Sequence, residues 1–159
     1  MTIVVGADHA GYAAKEVVRE HLRALGYDLI DVGATSSAPV DFPDIAWAAC
    51  QEVLSGRAER GVLVCGTGIG AAMAANKVNG IRAALAHDTY SAHQSVEHDD
   101  ANVLCLGAQI VGPALMLELI TTFLQARWQA SEDFTRRLQK LRSLESASYL
   151  LAEDDGNGK

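Results

Sequence analysis

The segment best suited to chemistry is Cys65-Gly66-Thr67-Gly68-Ile69-Gly70. Glycines at alternate positions let several backbone N–H groups converge on one point at the start of a helix. Such a cradle binds an anion or an oxyanion formed during reaction. Cys65 stands beside it, where a helix N-terminus is expected to lower a thiol pKa and favour thiolate. The alternative, a small buried apolar residue, is the usual fate of cysteine and suits Cys50 and Cys105 better. A second candidate is Gly6-Ala7-Asp8-His9-Ala10-Gly11, an acid and an imidazole flanked by glycines. Asp8 can face a ligand there, or only cap the helix that follows. The third is His98, in His98-Asp99-Asp100-Ala101-Asn102. It is either a partner for a helix C-terminus or a general acid near neutral pH. His21, His87 and His93 lack such neighbours and read as surface or structural. No set of side chains has metal-ligand spacing, so no metal is expected.

These residues need elements to carry them. Ile3–Gly6, Asp28–Val32, Gly61–Cys65, Ile81–Ala86 and Asn102–Leu106 read as strands. Gly61–Cys65 is uniformly apolar, as a strand covered on both faces should be. Helical patterns follow at 11–25, from Pro43 to Leu54, to about Asn76, from a cap at Asp88 to Glu97, from Pro113 to Leu124, and from Glu132 to Tyr149. Strands alternating with helices imply an α/β fold: an open five-stranded parallel sheet with helices on both faces, a Rossmann-like three-layer α/β/α arrangement. In such sheets ligands bind off the carboxyl ends of the strands. The Asp8 and Cys65 segments both fall at strand ends of that kind.

The 159 residues suit one domain, assigned to 1–150, with 151–159 as a disordered acidic tail. Thirteen basic residues against 20 acidic give a net charge of −7 with no basic stripe, which argues against nucleic-acid binding. No apolar run approaches a membrane span, and Met1–Gly6 lacks the basic start of a signal peptide. Three cysteines without a CxxC pair point to a reducing cytoplasm. The glycine loop is not a dinucleotide fingerprint, because its third glycine would fall at Ala71.

Five segments in order resemble the ribose-5-phosphate isomerase type B family, over residues 1 to about 145. They are Gly6–Gly11, Asp41-Phe42-Pro43, Cys65–Gly70, Ala74–Ala84 and His98–Leu104. The superfamily also holds galactose-6-phosphate isomerase subunits and four-carbon sugar-phosphate isomerases. The resemblance implies an aldose–ketose isomerase working through an enediolate without a cofactor. Its substrate would be a small sugar or sugar phosphate. Cys65 matches the general base, and Gly66, Gly68, Ile69 and Gly70 belong to the loop that stabilises the enediolate, with Thr67 assisting. His98 matches the residue that assists ring opening, and Asp8 and His9 match substrate-binding positions. A homodimer with a composite active site is implied, its C-terminal helix packed on the partner, with a tetramer also open.

The departures concern the phosphate. Asp99 stands where the family usually has asparagine, and Gln109 where it has arginine. Glu132 and Asp133 replace an arginine and a histidine at the start of the last helix, while Arg136 matches a second arginine there. Phe42 stands where tyrosine is common. An isomerase of a different substrate, shorter or unphosphorylated, is therefore an alternative, as is a non-catalytic subunit of a heteromeric enzyme.

Overall fold

The computed structural model describes residues 1–146. The end of the last predicted helix and the tail at 151–159 lie outside them. Five strands form one parallel sheet: β1 Thr2–Ala7, β2 Asp28–Asp31, β3 Arg60–Cys65, β4 Ala83–Leu85 and β5 Val103–Gly107, in the order β2-β1-β3-β5-β4. Six helices accompany them: α1 Tyr12–Ala24, α2 Phe42–Leu54, α3 Ile69–Ala75, α4 Thr89–Asp99, α5 Pro113–Gln125 and α6 Glu132–Ser143.

The strands sort their side chains with a period of two. Ile3, Val5, Val62, Val64, Leu104 and Leu106 face one layer, shared with α1, α4 and α5. Val4, Leu63, Val103 and Cys105 face the other, with α2 and α3. Burial on both faces explains why β1, β3 and β5 read as continuous apolar runs rather than alternating ones. The predicted fourth strand is trimmed to three residues. At its outer edge, the Asn76 amide accepts the Ala83 N–H at 2.8 Å and donates to the Ala83 carbonyl at 2.9 Å. A side chain thus takes the place of a sixth strand and closes the edge.

The buried stripe of α1 runs through Lys15, Val18 and Leu22, while Val17 and the cap residue Leu25 are exposed. Lys15 is enclosed because its ammonium is fully engaged. It donates to both Asp31 carboxylate oxygens, at 2.8 and 3.0 Å, and to the Ala34 carbonyl at 2.8 Å. Those bonds tie α1 to the end of β2 and to the loop leading to α2. At Gly11 the turn before α1 presses on β3, and a β-carbon there would stand 2.2 Å from the Val64 carbonyl oxygen. Glycine is what lets the Asp8 turn lie against the Cys65 end of β3.

Candidate active site

The chain leaves β1 for β2 on one side and returns to β3 on the other. Their carboxyl ends therefore flank a crevice, the place where open α/β sheets bind ligands. Asp8 follows β1, and Cys65 ends β3. Asp8 is buried, and its two oxygens have separate tasks. Oδ1 accepts the N–H groups of Ala10 and Gly11 at 2.9 and 3.0 Å. Oδ2 accepts the Cys65 thiol at 2.8 Å. Asp8 therefore does not cap α1, which has no side-chain cap; its Oδ1 closes the turn before the helix and its Oδ2 holds the thiol.

The thiol differs from expectation. A thiol pKa lowered by the helix was predicted; in the structure it is raised above the ordinary range. Burial is the largest cause, followed by the hydrogen bond to Asp8 and then by the Asp8 charge. The N–H groups of Gly68 and Gly66 pull the other way but do not prevail. The helix in question, α3, has only seven residues, and burial together with a carboxylate touching the sulfur outweighs it.

The loop itself is tightly constrained. Gly68 has φ +79°, and a β-carbon there would lie 2.7 Å from Leu85 and 2.9 Å from the Leu106 carbonyl carbon. Thr67 is exposed, its hydroxyl accepting the Ile69 N–H at 3.4 Å. The end of β5 continues the ladder, with Ala108 N–H donating to the Cys65 carbonyl and Gln109 N–H to the Gly66 carbonyl, both at 2.9 Å. Gln109 stands beside Gly66, and the Phe42 ring lies over Gly70, where a β-carbon would come within 3.0 Å. His9 accepts the Val40 N–H on Nδ1 at 3.3 Å, in the loop that leads to Phe42. Asp8, His9, Phe42, Cys65, Gly66, Thr67, Gly68, Ile69, Gly70 and Gln109 therefore share one end of the sheet.

His98 does not join them. It lies in the last turn of α4, which feeds the amino end of β5, so within one chain it is at the opposite end of the sheet from Cys65. Asp99, Glu132 and Arg136 accompany it there. The His98 ring stacks on Phe134 of α6, with centroids 4.1 Å apart. Arg136 pairs with Asp133 at 2.6 Å. On α6, Leu138 is buried and Phe134 half-buried, while Leu141 and the cap residue Leu144 are exposed. The sequence did not reveal the Phe134 stack, which depends on how α6 crosses α4. It also passed over His87. That residue follows β4 at the carboxyl end of the sheet, and its Nε2 accepts the Gly107 N–H at 3.1 Å. Its position one residue before a helix cap, just past a strand, was the available signal.

A thiol–carboxylate pair and an N–H-lined loop thus lie at the switch point of a parallel sheet, where open α/β folds bind small molecules. The sequence model of the Ribose/Galactose Isomerase family matches residues 3–141. A putative sugar phosphate isomerase of Bacillus subtilis is 40% identical over 137 residues, 86% of this chain and 92% of the relative. D-erythrulose-4-phosphate isomerase of Pectobacterium atrosepticum is 40% identical over 131 residues, 81% of this chain and 86% of the relative. The solved structure of Clostridium thermocellum ribose-5-phosphate isomerase B superposes with a TM-score of 0.89 at 41% identity. It covers 91% of this chain and 97% of that one. The chain belongs to the ribose/galactose isomerase family, and it is an isomerase of the aldose–ketose type.

Proposed function

We propose that the chain interconverts an aldose and a ketose at a site shared by two copies, with Cys65 moving the proton between C1 and C2. The observation that carries the chemistry is the Cys65 thiol, 2.8 Å from Asp8 Oδ2 and beside the N–H groups of Gly66 and Gly68. A base, an oxyanion site and a proton partner are what enediolate chemistry needs. Cys65 acts as thiolate, which the two N–H groups stabilise and Asp8 opposes. A sugar hydroxyl donating to Asp8 Oδ2 displaces the thiol from that oxygen and removes one cause of its raised pKa. Substrate binding therefore helps to make the base. Thr67 and the loop amides hold the enediolate oxygen, and the partner's copy of His98 assists ring opening.

The homodimer rests on the separation of Cys65 from His98. A twofold axis that brings the amino end of one sheet to the carboxyl end of the other makes two whole sites from two halves. It would also bring Glu132 and Arg136 of one copy toward Gln109 of the other. Of the positions that match the family's phosphate arginines, one then holds a cation. Gln109 carries no charge, Glu132 is negative, and Arg136 is already paired with Asp133. Ribose 5-phosphate is expected to bind weakly, and a shorter sugar phosphate or an unphosphorylated sugar is the better candidate. A cytoplasmic location is part of the same reading, supported by three cysteines that are all free.

Subunit exchange tests the shared site. Cys65→Ala and His98→Asn chains, each inactive alone, are mixed and allowed to exchange. Random pairing makes half of the dimers mixed, each with one intact site, so about a quarter of wild-type activity returns. If no activity returns once exchange is shown by mass, the site is not composite.

A further inference from the structure

We propose that His87 is a positioning residue for the Cys65–Gly70 loop. It holds β5 in place by accepting the Gly107 N–H with a neutral imidazole. This rests on the reading of that loop as the active site.

β5 is the strand between β3 and β4. On its β3 side, the residues just past its end grip the loop directly, through Ala108 N–H to the Cys65 carbonyl and Gln109 N–H to the Gly66 carbonyl. On its β4 side the ladder runs out. Ala86 N–H still donates to the Cys105 carbonyl at 3.4 Å, but the next β5 donor, Gly107 N–H, meets the His87 ring at 3.1 Å instead of a strand carbonyl. Gly107 is buried and lies directly against the loop: a β-carbon on it would stand 2.7 Å from the Thr67 carbonyl oxygen. Without an acceptor, its buried N–H would be left unpaired or would move, and a shift at Gly107 has no slack before it reaches Thr67. The bond also fixes the ring chemically. Nε2 must carry its lone pair, so the proton of the neutral ring sits on Nδ1. An imidazolium could not accept the bond at all.

The test uses the full chain with His87→Gln, which keeps an acceptor near the place of Nε2, and His87→Leu, which has none. Four quantities are read: thermal melting, hydrogen exchange at the Gly107 amide, the rate of Cys65 modification by an aromatic disulfide, and kcat and KM for the best sugar substrate. Long-range nitrogen–proton NMR of the wild type should show His87 as the Nδ1–H tautomer. His87→Leu should speed Gly107 exchange about tenfold, change the Cys65 modification rate and lower kcat about tenfold, with KM within about twofold. His87→Gln should restore all three to within about threefold. A wild-type ring protonated on Nε2 would overturn the proposal without any variant. So would unchanged Gly107 exchange in His87→Leu, or unchanged kcat when that exchange accelerates. A His87→Gln chain with Gly107 protected but kcat still lost would also overturn it, because His87 would then act on the substrate directly. Exchange and thiol modification are read whether or not a sugar turns over. Lack of turnover in the wild type would thus count against the isomerase reading, while those two measurements still decide the proposal.

Discussion

Replacing Asp8 with asparagine should make Cys65 more reactive, contrary to the usual effect of mutating an active-site acid. The Cys65 sulfur lies 2.8 Å from Asp8 Oδ2. Two unit negative charges at that distance repel by about 1.5 kcal/mol at the dielectric of water and by about 6 kcal/mol at an effective dielectric of 20. Cys65 is only half-buried, so the lower figure applies. About 1.4 kcal/mol is a factor of ten in ionisation, so Asp8→Asn should raise the thiolate fraction about tenfold at neutral pH. A less basic thiolate is also a weaker nucleophile, with a Brønsted coefficient of about 0.4–0.5 in disulfide exchange. The net gain in rate is then about threefold. The substitution is mild, because asparagine retains an oxygen for the Ala10 and Gly11 N–H groups. The assay is the rate of reaction with an aromatic disulfide across neutral to alkaline pH, in wild type and variant. Cys50, pushed up to about 11 by burial, and Cys105, pushed still higher, should stay silent in the folded protein. In the variant the rate profile should move to lower pH. An unmoved profile, or slower reaction at neutral pH, would refute the argument that Asp8 opposes the thiolate.

Three further outcomes follow from the same geometry. Gln109→Arg with Glu132→Arg should lower KM for ribose 5-phosphate by about tenfold or more, with kcat unchanged, because the phosphate is remote from C1 and C2. An equal gain for the unphosphorylated pentose would contradict the phosphate reading. Lys15→Met should cost about 1–3 kcal/mol in urea unfolding, because it leaves the buried Ala34 carbonyl without its donor, while Asp31 keeps its pair with Arg19. Gly68→Ala should cost about 1–3 kcal/mol, from the left-handed backbone and the contacts with Leu85 and Leu106, and should abolish turnover even where the fold survives. Melting and steady-state kinetics on the same preparation separate the two effects.

Much of this was legible because local rules and the global fold agree. The β-branched runs at Ile3–Val5 and Gly61–Cys65 sit between helices, and a parallel sheet follows from that rhythm alone. Asp88 caps α4 as its position suggests, accepting the Ser91 N–H at 2.7 Å. Placing Asp8 and Cys65 at strand ends brought them to the same crevice. Other features depend on contacts that periodicity does not encode. Asn76 pairs with Ala83 across a loop and trims β4. Lys15 looks like a surface residue until Asp31 and the Ala34 carbonyl are seen around it. The direction of the Cys65 shift came first from burial and then from one carboxylate 57 residues away in sequence, which together outweighed the helix that the local pattern announced. The family resemblance implies that His98 works with Cys65, yet the crossover through α4 places it at the other end of the sheet. Under the proposed function, a second copy supplies that pairing.

The central claim, that Cys65 carries the proton between C1 and C2, is tested by one NMR experiment in heavy water. Wild type and Cys65→Ala are compared on ribose 5-phosphate, a four-carbon ketose phosphate and an unphosphorylated pentose. The wild type should interconvert at least one of these with its ketose or aldose partner and introduce solvent deuterium at the carbon that gains the proton. Cys65→Ala should melt within a few degrees of the wild type and be slower by about 10²–10⁴-fold, with deuterium incorporation falling equally. A Cys65→Ala enzyme that isomerises and exchanges within a few-fold of the wild type would contradict the account.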